Sequence, residues 1–228
     1  MKRLPFIIIL VVLAAAAGGA WYLKRSATPS VPAQTLASAS PQANAPKSSQ
    51  PGAEPPHTLG AANAPVKLEE FGDFECPPCG VLHPTLQMME REFGDRLMIT
   101  FREFPLVPTH QHALAAATAA EAAGLQGKFW EMHDMLYENQ KQWHEAFDVR
   151  PIFEDYAKRT GLDIERYKRD LTSEVVAQRI TQDGLRAHSL GVIGTPTVFI
   201  NGREIPFESL LPPDKLREVI KAVLNAHP

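Results

Sequence analysis

The chain has 228 residues, 44% hydrophobic and 21% charged, with 20 Pro, 14 Gly and 2 Cys. That composition excludes a fibrous or wholly disordered protein and fits one ordinary domain with extra segments. The formal charge is −3, but residues 57–228 carry 18 Lys and Arg against 25 Asp and Glu, a balance of −7, which argues against a nucleic-acid partner because phosphate binding needs clustered positive charge.

Met1-Lys2-Arg3 precedes an apolar run of 19 residues, Pro5 to Leu23, closed by Lys24 and Arg25. At ~1.5 Å per residue the run reaches nearly 30 Å, enough to cross a hydrocarbon core. Residues 1–25 are therefore read as a signal-anchor or a signal peptide. The small residues Ala15 to Ala20 suit cleavage. Trp21 and Tyr22 before Lys24 suit an interfacial belt and favour the anchor. Either way the remainder is exported. Residues 26–56 hold seven Pro, many Ala and Ser, and only Lys47 and Glu54 as charges, so this stretch is expected to be a disordered linker. As a flexible coil it would span on the order of 30 Å.

The domain is expected over residues 57–228. Val66 to Phe71 reads as a strand, followed by Cys76-Pro77-Pro78-Cys79 and a helix to about Phe93. Leu97 to Phe104 is a second strand. Helices are expected at Thr109 to Gly124, Lys128 to Asn139, Pro151 to Thr160, Asp163 to Leu171 and Glu174 to Leu190. Thr197 to Ile200 and Arg203 to Ile205 read as a hairpin turned by Asn201-Gly202. A last helix starts near Pro213, with Leu216, Val219, Ile220, Val223 and Leu224 on one stripe. The layout is α/β: a small mixed sheet flanked by helices, with an all-helical insertion at about 107–190.

Two cysteines two residues apart, after a strand and opening a helix, are expected to form a redox dithiol. Unpaired N–H groups and the helix dipole favour a thiolate at Cys76, the expected nucleophile and the more exposed of the two. Cys79, one turn on, is the expected resolving thiol. Pro77 and Pro78 remove two N–H donors from the sulfur's surroundings, so a Cys76 pKa below the free-thiol value but not extreme is expected. A structural disulfide would close too small a ring to stabilise much. A zinc site using His83, His110 or His112 lacks a second Cys pair; no metal or cofactor is expected, and His83 and His112 read as ordinary helix residues. Glu70 shares its strand face with Val66 and Leu68, and a buried carboxyl there could exchange a proton with Cys79. Glu75 is read as an exposed anion that opposes the thiolate slightly. Pro196, at a strand start, suits a cis bond that would turn the Thr195 backbone toward an extended substrate.

Glu70-Phe-Gly-Asp-Phe-Glu-Cys-Pro-Pro-Cys79, Phe101-Arg-Glu-Phe-Pro-Leu106, Gln126-Gly-Lys-Phe-Trp-Glu-Met-His133 and Gly194-Thr-Pro-Thr-Val-Phe-Ile-Asn-Gly202 together resemble the thioredoxin superfamily. They are most similar to its DsbA-like branch, which includes BdbD-type thiol-disulfide oxidoreductases. The resemblance covers roughly residues 57–226. It implies a thioredoxin core with a helical insertion, a nucleophilic Cys76, a resolving Cys79, a cis Pro196 facing them and an acid at Glu70. Thr195, Pro196, Pro77 and Pro78 would meet the substrate.

The implied activity is oxidation of exported client thiols, with a quinone-linked membrane partner as reoxidant, at the extracytoplasmic face of a bacterial inner membrane or in the periplasm. The sequence departs from strong oxidases in having Pro77-Pro78 where Pro-His is typical, and Thr195 where Val is. Two further readings therefore stand: a reductase or isomerase recharged by a membrane electron donor, and a non-catalytic binding or metal-holding module.

Overall fold

The computed structural model describes residues 50–226. The apolar run at residues 1–25 and the linker to residue 49 lie outside the described residues, among which no helix is long and apolar enough to cross a membrane.

The described residues form five strands: β1 (His57–Leu59), β2 (Val66–Gly72), β3 (Leu97–Glu103), β4 (Thr197–Ile200) and β5 (Arg203–Ile205), the longer three carrying apolar runs. They form one sheet in the order β1-β3-β2-β4-β5. Only β2 and β3 run parallel; β1, β4 and β5 pair antiparallel with their neighbours. The β2–β3 crossover is a helix, α1 (Pro77–Phe93), as a parallel pair requires. Asn201, at φ 49, and Gly202, at φ 79, turn the β4–β5 hairpin in the left-handed region that such tight turns demand.

Six helices fill the connection from β3 to β4: α2 (Ala113–Gly124), α3 (Phe129–Glu138), α4 (Gln140–Trp143), α5 (Arg150–Arg159), α6 (Ile164–Asp170) and α7 (Glu174–Leu190). The chain closes with α8 (Pro213–Ala226). Leu216 and Ile220 of α8 and Leu82, Leu86 and Met89 of α1 bury against Val66, Leu68, Ile99, Val198 and Ile200 on one sheet face. On the other face Phe71, Phe104 and Phe199 pack with Ala187 of α7. A third cluster joins α2, whose small alanines let helices approach closely, to Phe74, Phe101, Met132, Leu136 and both cysteines.

The fold is the expected mixed sheet with an all-helical insertion. Besides two single 3-10 turns at Gly94–Arg96 and Phe207–Ser209, β1 and the four-residue α4 were not expected. The packed chain also reaches further toward the N-terminus than residue 57. Ala53 is buried, its N–H donates to Asp183 Oδ1 at 2.8 Å, and its carbonyl accepts from Arg102 Nη1 at 2.8 Å.

Candidate active site

β2 ends at Gly72, and the next residues turn into α1 with Cys76 as the N-cap residue, at φ −68 and ψ 118. The Cys76 N–H donates to Asp73 O at 3.1 Å, and the Cys76 carbonyl accepts from Gly80 N at 3.2 Å. Pro77 and Pro78 open the helix, so Cys79 carries the first N–H of the helix. That N–H and the Cys79 thiol both hydrogen-bond to the Cys76 sulfur. The two cysteines are free thiols in this structure. Across from them the Thr195–Pro196 peptide is cis, and the Cys76 thiol donates to the Thr195 carbonyl at 3.3 Å.

The thiols are driven apart in acidity. The hydrogen bond from the Cys79 thiol, then those from Thr195 and the Cys79 N–H, outweigh burial and bring the Cys76 pKa from 9.0 to about 6. Burial, and then the hydrogen bond given to Cys76, push the Cys79 thiol well above its ordinary value. The buried Thr195 hydroxyl has no other partner to compete for it, so it serves the Cys76 sulfur. Cys76 is the more exposed of the two, as expected, but only just: it is 4% exposed and Cys79 0%. Cys76 lies beneath the Thr195–Pro196 turn, and hydrogen bonding distinguishes the sulfurs instead.

Glu70 lies in the middle of the sheet, with Phe101 of β3 and Val198 of β4 as its register partners. It is 2% exposed, and its Oε1 has no hydrogen-bond partner. Burial, with a smaller contribution from the charge on Cys76, raises its pKa to about 8. Two further groups near it escaped the sequence reading. The Tyr137 hydroxyl and both carboxyl oxygens of Glu103 are buried without partners. Burial raises the pKa of each well above its ordinary value, with Cys79 and Glu70 adding to the effect at Tyr137. An alternating strand pattern marks Glu103 only as strand; in the structure Glu121 of α2 and Asp183 and Arg179 of α7 lie around it.

Glu75 is not the exposed anion expected. It is 2% exposed and turned into the insertion, where its carboxylate accepts the His112 backbone N–H and lies 3.2 Å from His144 Nδ1. The nearby anion that opposes the Cys76 thiolate is Asp73. Its carboxylate accepts from Glu75 N at 2.8 Å, Leu106 N at 2.8 Å and His110 Nδ1 at 2.7 Å. Gln140 of α4 also went unpredicted. Its Nε2 donates to the carbonyls of Phe74 at 2.7 Å and Cys76 at 2.9 Å, which clamps the turn that carries the nucleophile.

A sheet with a dithiol at the first helix mouth, a cis proline opposite and a buried acid beneath defines a thioredoxin-fold dithiol domain. A thioredoxin family model matches residues 53–222. The chain belongs to the thioredoxin family, in its DsbA-like, BdbD-type branch of thiol-disulfide oxidoreductases. It is 33% identical to a probable disulfide bond formation protein D of Bacillus cereus over 150 residues, 64% of this chain and 69% of that protein. BdbD from Bacillus subtilis, in its oxidised crystal structure, superposes with a TM-score of 0.64 at 26% identity, over 78% of this chain and 98% of that one. The Na(+)/H(+) antiporter NhaA 1 of Salinispora arenicola is 42% identical over 148 residues, 64% of this chain. The chain spans only 22% of that antiporter's length.

Proposed function

We propose that this chain is an exported thiol-disulfide oxidoreductase that oxidises client protein thiols through Cys76 and Cys79. The observation that carries the reading is the opposed acidity of the two sulfurs at one helix mouth, Cys76 at about 6 and Cys79 well above its ordinary value. In the oxidised enzyme a client thiolate attacks the Cys76 sulfur, the Cys76–Cys79 bond breaks and Cys79 leaves with the electron pair. Glu70, with its pKa near 8, is protonated at neutral pH and can give its proton to that leaving sulfur. A second client thiolate then attacks the client sulfur of the mixed disulfide and expels Cys76 as a stable thiolate. The client gains a disulfide and the enzyme gains two electrons, which a membrane partner must remove.

The acidity of Cys76 supports the oxidising direction, because a thiolate that is stable leaves readily and favours the reduced enzyme. At pH 7 a thiol lowered from 9.0 to about 6 stabilises the reduced form by about 1 pH unit, ~1.4 kcal/mol or ~30 mV in a two-electron couple. That makes a moderate oxidant.

Client binding is expected beside Thr195 and Pro196. In the dithiol form the Thr195 carbonyl is taken by the Cys76 thiol. Disulfide formation removes that proton and frees the carbonyl to pair with an extended client strand. Ile193, 97% exposed two residues before it, offers apolar contact, and Pro77 and Pro78 border the sulfur. Residues 1–25 would hold the domain at the extracytoplasmic membrane surface through the linker.

Equilibration with glutathione tests the direction, and a potential as low as that of strongly reducing thioredoxins would overturn it. Cys76→Ser is expected to abolish both oxidative refolding of a reduced client and insulin reduction. Retention of either activity would remove the dithiol from the function.

A further inference from the structure

Helices α1 and α3 bring three potential ligand groups together: His83 from α1, and His133 and Asp134 from α3. Asp134 Oδ1 lies 3.0 Å from His133 Nδ1 and 3.7 Å from His83 Nε2. One ligand atom from each residue fits within 4.8 Å of the others. Donors bound to a tetrahedral zinc at 2.0–2.1 Å stand about 3.3 Å apart, so the first two spacings bracket that edge. Both imidazoles are 5% exposed, and His83 Nε2 is buried with no hydrogen-bond partner, as is the other ring nitrogen of His133, Nε2. Buried polar atoms are ordinarily satisfied, and an orphaned imidazole nitrogen aimed at a carboxylate is what a coordinated cation would explain.

We propose that His83, His133 and Asp134 form a binding site for a divalent transition ion of the zinc class. Two imidazole nitrogens and one carboxylate oxygen suit zinc, cobalt, nickel or copper and do not suit calcium or magnesium, which take oxygen ligands. Neutral imidazole is the ligating form. The three residues line a cavity of about 310 Å³, and the Asp134 side chain is 42% exposed. The cavity thus supplies an entry path and room for water as a fourth ligand.

The test uses the full chain with both cysteines replaced, Cys76→Ser and Cys79→Ser, so that no thiolate can bind metal. Titration with Zn²⁺ by calorimetry is expected to show one bound equivalent. In that background, Asp134→Asn and, separately, His83→Gln are expected to weaken binding by at least the ~10–100-fold that loss of a ligand's orienting neighbour costs. Co²⁺ is expected to give tetrahedral visible bands that both substitutions abolish. Asp134 is partly exposed, so its variant keeps the test valid should the His83 variant misfold. No zinc uptake, or uptake that neither substitution weakens, overturns the site. Because the thiols are absent, either failure leaves the redox reading untouched.

Discussion

At Cys76 burial and hydrogen bonding pull in opposite directions, and hydrogen bonding wins; at Glu70 burial has no opponent. The consequence is two opposed pH slopes in the reduced protein. Glu70 is raised from 4.5 to about 8, so the folded chain holds a proton that the unfolded chain releases. Its contribution to stability is fully present below about 4.5 and is lost as the pH rises through about 8, at ~1.4 kcal/mol per pH unit. Cys76 is lowered from 9.0 to about 6. Its contribution is present above about 9 and is lost as the pH falls through about 6.

Between pH 6 and 8 these two slopes oppose each other. In urea unfolding of the reduced protein, Glu70→Gln should make stability rise more with pH across that window than it does in the wild type. Cys76→Ser should shift the slope the other way, since burial is the first cause of the Glu70 shift. A Glu70→Gln profile parallel to wild type would remove Glu70 from this account. Glu70 was legible because alternation along β2 puts it with Val66 and Leu68. The inward turn of Glu75 was not, because it lies in a loop where no periodicity assigns a face.

At the scale of elements, the mouth of α1 is held from outside itself. Its prolines leave the turn short of internal donors, and Gln140 supplies two hydrogen bonds from α4. A Cβ on Gly80 would come within 2.5 Å of Gln140 Oε1, so glycine at that position keeps the clamp seated. Gln140→Ala would leave the Phe74 and Cys76 carbonyls without this partner. It is expected to lower stability by about 1–3 kcal/mol in denaturant unfolding; an unchanged midpoint would show that water replaces the clamp.

Elements with strong local signals matched their expected spans. Thr197–Ile200, Arg203–Ile205 and Glu174–Leu190 agree at both ends. For α7 the N-cap is visible in the chain itself, Ser173 accepting from Val176 N at 3.3 Å. By contrast β1 has three residues and α4 four, too few for a period of two or 3.6 to register. β1 exists because β3 offers it an edge.

Across the whole molecule, one buried cation joins distant parts of the chain. Arg102 of β3 pairs with Glu69 of β2 at 2.8 Å and Asp183 of α7 at 3.0 Å, and donates to the Ala53 carbonyl. Glu69 also takes Arg186 of α7 at 2.7 Å. Arg102→Ala would leave Asp183 buried without its cation and release residues 50–53. The expected loss is about 3–5 kcal/mol in thermal or urea unfolding, with new proteolytic cleavage near residue 53. A variant as stable and as resistant as wild type would show that the network contributes nothing net.

The order of the longer strands and helices, the dithiol at a strand-to-helix junction and the burial of Glu70 could be read from the chain alone. Each depends on neighbours in sequence, through alternation, helical spacing or the missing N–H groups of Pro77 and Pro78. The cover over Cys76, the clamp from Gln140, the isolation of Glu103 and the meeting of His83 with His133 and Asp134 required the packed molecule. Those contacts join residues tens of positions apart, and nothing in a local pattern encodes which side chains a helical insertion will bring against a sheet.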